Sequence, residues 1–231
     1  MVQQYDNMNL FDRKTDVKVL PIKRFFAEMG MDDIDYDSRV ELATKLSKDY
    51  DTVLKMMILS LIVGEPIVAV QRASSLAQRL TDTFEQHLKS NPLYGLSFDQ
   101  IRALEEYSDF YLLKQIQAEA EYFIEATMNH LTDEYYFSTD RATLAAENEV
   151  NSITNYSDYA IALIKGMTRK TWHTMDDGRV RETHRMLEGK TIPIYEPFDL
   201  LGSYMKFPKD ESLGADKREI AGCRCWATYS Y

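Results

Sequence analysis

Glycine and proline divide this chain in two. Six of its nine glycines and three of its six prolines lie from Gly166 onward. Residues 1–164 carry only Gly30, Gly64, Gly95, Pro21, Pro66 and Pro92, each close to an apparent helix end. Both residue types interrupt helices, so the first part is free to run as long helices while the second must turn often. The expected fold class is α+β: predominantly long α-helices over 1–164, then a small mixed α/β domain over 165–231.

Apolar spacing supports the helical part. In "DSRVELATKLSKDYDTVLKMMILSLIV", Val40, Ala43, Leu46, Tyr50, Val53, Met57 and Leu61 recur at steps of three and four, the period of one helix face. Ser38 offers an N-cap, and Gly64-Glu65-Pro66 a stop. A second helix is expected over about 67–87. Ser97 and Gln100 form a capping box that opens a long amphipathic stretch through Ile101, Leu104, Tyr107, Phe110, Leu113, Ile116 and Ala120 towards Met128. Another helix is expected over 139–164, closed by Gly166. Such stripes pack on one another, although long helices also leave room for an apolar face that meets a partner protein.

The chain has 231 residues and a net charge of −10, and the acidity is all in the first part: residues 165–231 carry +2 and residues 1–164 carry −12. An acidic surface repels phosphates and favours basic protein partners, whereas the near-neutral end permits local contact with DNA. The longest apolar run, "MMILSLIVG" from Met56, is far short of the roughly 20 residues that span a bilayer, so no membrane role is expected. The first residues lack a basic start and apolar h-region, which argues against a secretory signal. Two cysteines make no disulfide framework, and a reducing cytosol is the expected setting.

Beyond Gly166, Trp172 to Thr174 reads as a strand and Asp176-Asp177-Gly178 as a tight turn. Val180 to Leu187 reads as a short helix closed by Gly189. Thr191 to Tyr195 and Tyr204 to Phe207 read as strands, and Cys223 and Cys225 are placed on a last strand that returns to the domain. A fold this small is marginal alone, so a metal staple or packing on the preceding helices is expected to support it.

The order of Trp172, "DDGRVRETH" ending at His184, "LEGK" around Gly189, Pro197-Phe198, Phe207-Pro208 and "CRCW" at Cys223 resembles the C-terminal domain of the Mu F-like minor head proteins of tailed bacteriophages, also called phage head morphogenesis proteins. The preceding "LAAENEVNSITNYSDYAIALIKG" is similar to the helix that leads into that domain, with Glu147, Glu149 and Asn151 in its acidic and Asn-containing run. The resemblance spans about Leu144 to Trp226. It departs at Gly222, where family members commonly carry asparagine. It implies a low-copy virion protein at the portal vertex or procapsid interior, made in the host cytoplasm and aiding head assembly and DNA packaging or delivery. Portal and capsid proteins, and viral DNA, are the partners implied. The helical region is assigned the portal- or capsid-facing role from its helix content, not from the motif.

Three chemical readings stay open at this point. Cys223, Cys225, His184 and His173 are ligands of the kind a structural zinc takes, although C-x-C is tighter than the usual knuckle. Alternatively the thiols are small buried hydrophobes and His184 a core hydrogen-bonding residue. Asp176, Arg179, Arg181 and His184 invite an enzymatic reading on nucleic acid or nucleotide, with His184 as base and Arg181 and Arg185 on a phosphate. No nucleophile, glycine-rich phosphate loop or carboxylate pair accompanies them, so a structural network of Trp172, Asp176, Arg179, Arg181, His184, Gly189, Phe198, Pro208 and the cysteines is favoured, and no enzyme activity is expected.

Overall fold

A computed structural model describes residues 33–65 and 121–231, with isolated positions between them. Helix α1 spans Asp33–Ile62. It buries Val40, Ala43, Leu46, Tyr50, Val53 and Met57, the stripe its period predicts, with Leu61 partly buried beside them. Ser38 is not its N-cap, because the helix begins earlier, at Asp33. At its far end Gly64 adopts φ +77°, and Gly64 and Glu65 donate back to the carbonyls of Leu61 and Ser60. This is the Schellman closure that a left-handed glycine permits. The helices expected over 67–87 and from Ser97 lie largely outside the described residues; the end of the latter is helical over 121–128.

Helix α2 spans Thr139–Ile164, the range expected. Ser138 caps it by accepting a hydrogen bond from the Arg141 N–H at 3.2 Å, and Gly166 closes it in the same way that Gly64 closes α1. The two helices run antiparallel: Thr139 donates to Asp51, Ser47 meets Thr143, and Arg39 meets Asp158. Buried Arg141 ties α2 to the 121–128 segment. It donates to Thr127 and to the carbonyls of Tyr136 and Phe123, and lies against the Phe123 and Tyr136 rings. All of its charge is therefore met by acceptors and ring faces.

A three-stranded antiparallel sheet follows, in the order β2-β1-β5, from β1 (Arg169–His173), β2 (Thr191–Pro193) and β5 (Trp226–Ser230). Trp172 sits opposite Ala227, and Lys170 opposite Tyr229 and Ile192. A second, two-stranded ladder joins β3 (Phe198–Asp199) to β4 (Tyr204–Met205). Short helices α3 (Glu182–Arg185) and α4 (Lys217–Ile220) complete the region. It has a core of its own, with Trp172, Leu187, Phe198, Leu200, Met205 and Ile220 packed around the two cysteines. It also closes the helical core, where Ile194 and Phe207 are buried with α1 and α2 residues and Trp226 and Tyr229 pack against them.

Several boundaries differ from expectation, for local reasons. Strand β1 starts at Arg169 and ends at His173, because the Thr174 N–H bonds to Glu188 instead of to a neighbouring strand. Strand β2 stops at Pro193, before Tyr195, as the chain turns there. Strand β4 stops at Met205, because the Lys206 N–H is taken by the Asp210 carboxylate. Of the stretch from Val180 to Leu187 only Glu182–Arg185 is α-helical, followed by turns to Gly189, whose φ is +67°. The cysteines are not on a strand. They occupy the loop just before β5, and their carbonyls are bonded to α2 side chains rather than to a ladder.

Candidate metal centre

Three of the four expected ligands converge. One ligand atom each from His184, Cys223 and Cys225 lies within 4.8 Å of the others, and all three residues are buried. The His184 Nδ1 is 3.3 Å from the Cys225 sulfur and 3.5 Å from the Cys223 sulfur. A nitrogen and a sulfur bound to one zinc at about 2.0 and 2.3 Å are about 3.5 Å apart at the tetrahedral angle, so these spacings need almost no rearrangement. The other imidazole nitrogen, Nε2, faces the Glu219 carboxylate at 2.9 Å. With a metal on Nδ1 the imidazole proton would sit on Nε2, where this carboxylate is placed to accept it.

His173 is elsewhere. Successive side chains of a strand point to opposite faces. With Trp172 in the core, His173 faces outward, where Nε2 meets Thr228 at 2.8 Å and the ring stacks on Trp226.

The loop that carries the thiols is gripped from α2. Asn151 donates to the carbonyls of Cys223 and Cys225 at 3.1 and 3.2 Å, and Asn155 donates to that of Cys225 at 3.0 Å. Asn148 accepts from the Gly222 N–H at 3.2 Å. Positions 148, 151 and 155 are three and four apart, so they share one helix face. Gly222 has φ +63°, a region glycine enters freely and asparagine more readily than most other residues.

The residue between the cysteines anchors the loop from the other side. Arg224 donates to both Asp177 oxygens at 2.6 Å, and this bond holds the Asp177 carboxyl below its ordinary range. Asp177 also accepts from the Arg179 N–H at 2.9 Å, fixing the turn. Arg181 donates to the Ala221 carbonyl, and Arg185 to those of Asp177 and Val180. Asp176, at φ +48°, precedes this network. The proposed joint orientation of Asp176, Arg179 and His184 does not form: Arg179 pairs with Asp177, while His184 meets the cysteines and Glu219.

Electrostatically the two thiols are split. The hydrogen bond from Cys225, then His184, holds Cys223 well below the usual thiol range against the effect of burial, while Cys225 is pushed well above it by Cys223 and by burial. Burial is the largest influence on the His184 cation and disfavours it, yet the bond to Cys223, the Cys223 charge and Glu219 together outweigh this and raise it. The Trp172 indole N–H is buried with no oxygen or nitrogen partner and favours negative charge on the Cys225 sulfur. Phe198 and His184 pack edge-on to the Trp172 ring. An N–H left for sulfur and a carboxylate behind the imidazole are the surroundings expected of metal-bound thiolates and a metal-bound histidine. Among the described residues this is the one cluster of His, Cys, Asp or Glu with metal-ligand separations.

Sequence reasoning found His184 and the cysteines but missed Asn148, Asn155, Glu219 and Arg224. The asparagines had a signal, their helical spacing.

A helix bearing an amide stripe, a small sheet with its own core, and a Cys-x-Cys loop clamped between them form one module. Residues 114–228 match the family described as Phage Mu protein F like protein, and this region of the chain belongs to that family, one of phage structural and head-morphogenesis proteins. The match takes in α2 as well as the sheet. No curated protein and no solved structure matches the chain. Among the described residues no helix is long and apolar enough to cross a membrane.

Proposed function

We propose that the chain is a low-copy component of the phage head, associated with the portal vertex or the procapsid interior, where it aids head assembly and DNA packaging or delivery. The observation that carries this reading is the match of residues 114–228 to the Mu F-like family. Residues 1–164, with their net charge of −12, supply the portal- or capsid-facing element, and residues 165–231 a compact module. The contacts of Arg179, Arg181, Arg185 and Arg224 favour an assembly role over turnover of nucleic acid or nucleotide, because each already meets a carbonyl or carboxylate. Procapsids assembled with a tagged chain test this: portal protein should co-purify with it, and procapsids whose portal and shell leave the chain behind would refute it.

The module is stapled, in this reading, by a structural zinc on Nδ1 of His184 and the sulfurs of Cys223 and Cys225. Burial of two thiols and an imidazole at tetrahedral spacing supports it. Protein purified without added zinc should carry one metal per chain and lose stability on chelation; metal-free protein that is indifferent to chelator would overturn it.

A further inference from the structure

We propose that the His184–Cys223–Cys225 centre is an open metal site, with three ligands from the chain and a single solvent-derived oxygen, water or hydroxide, in the fourth position. This rests on the metal reading above. Zinc takes four ligands, and among the described residues only these three cluster at ligand distance. Glu219 is not the fourth. It lies on the Nε2 side of the imidazole, away from the sulfurs, and the same oxygen also accepts from Thr183 at 2.8 Å.

The remaining position has somewhere to open. His184, Cys223 and Cys225 line one side of a recess whose other walls include Met175, Arg179, Arg181 and Arg224. The recess measures ≈ 10 Å³, and by that measure one water needs about 10–15 Å³. It therefore suits one water-sized donor atom at the metal, a water oxygen or the terminal nitrogen of a slender anion whose other atoms reach out of the recess, rather than a tetrahedral phosphate. Charge points the same way. Two thiolates neutralise a divalent ion, and Arg181, whose partner is the neutral Ala221 carbonyl, lines the same recess, so an anionic oxygen is favoured at the vacant vertex.

The test uses the full chain loaded with cobalt(II) in place of zinc, its visible absorption followed while azide, a small anion, is added and, separately, inorganic phosphate. The open site predicts a saturable spectral shift with azide, none with phosphate, and one cobalt per chain after desalting. A stably bound cobalt whose spectrum azide does not move would mean a closed site with a fourth ligand from the chain, and the proposal falls while the metal reading stands. A shift with phosphate would overturn the water-sized assignment. Failure to bind cobalt or zinc at all would instead remove the metal reading, and this proposal with it.

Discussion

Replacing Asn151 with alanine tests whether helix α2 builds the thiol loop. The side chain is fully buried and its amide serves two carbonyls. Asn151→Ala removes both bonds, at a net cost of about 0.5–1.5 kcal/mol each. The Cys225 carbonyl keeps Asn155 as a partner, but that of Cys223 loses the amide that serves it, and a buried orphan acceptor costs about 1–3 kcal/mol. The balance is a loss of about 2–3 kcal/mol, or roughly 5–10 °C in Tm for a chain of this size. Asn155→Ala removes one bond from a carbonyl that keeps another, so about 1 kcal/mol is expected. Asn148→Ala removes a single exposed bond and should cost about 0.5 kcal/mol. Thermal and urea unfolding of the three variants read the ranking directly. An Asn151→Ala variant as stable as the parent, or one less affected than Asn148→Ala, would refute the reasoning. Because Asn151 fixes the backbone of both thiol residues, the same variant should also weaken metal binding by about 10–100-fold, measured by competition with a chelator.

Three further outcomes follow from buried charges. Glu147 is held up to about 7 from 4.5 by burial, against the pull of Arg179. Across that window the folded chain binds the extra proton, so stability falls as pH rises; Glu147→Gln should flatten the slope and gain on the order of 1–2 kcal/mol at pH 8, and an unchanged slope would count against it. Lys170 is lowered to about 8 from 10.5, chiefly by burial. Between those values the unfolded chain binds more protons, so stability rises with pH; Lys170→Met should abolish the rise in urea titrations at pH 8 and pH 10. Arg224→Ala should destabilise by about 1–2 kcal/mol, because the Nη2 that donates to both Asp177 oxygens is lost and the carboxylate that fixes the turn keeps no guanidinium of the thiol loop; a variant as stable as the parent in urea unfolding would show that this anchor is unimportant.

The helices were the most legible part of the chain, since apolar period and glycine stops are local properties. The start of α1 was misplaced because Ser38 is a good cap by type, whereas Asp33, Asp35 and Asp37 are acidic residues of the kind a helix start also favours. Soft ligands in a cysteine-poor chain pointed to the three residues that the fold brings together. His173 was added by residue type alone, without the strand alternation that turns it away from the Trp172 side. Glu219 and Arg224 were out of reach: their partners, His184 and Asp177, lie 35 and 47 positions away, and nothing local announces such pairs. The cysteines were assigned to a strand because residues beside β5 share its composition, and only the asparagine amides show why the ladder begins after them.

The amide clamp also sets the order in which the chain can fold. Its bonds join residues 70 to 74 positions apart, and bringing such distant points together costs roughly 4 kcal/mol of chain entropy before any contact repays it. No single asparagine bond offsets that, so the clamp, the β1–β5 pairing and the shared core must form in one cooperative step. A fragment that starts at Gly166 escapes the closure cost but loses all three amides and the helix surface beneath Phe207. Measurements on such a fragment would therefore describe a different folding problem, and α2 belongs in any unit meant to bind metal or a partner as the whole chain does.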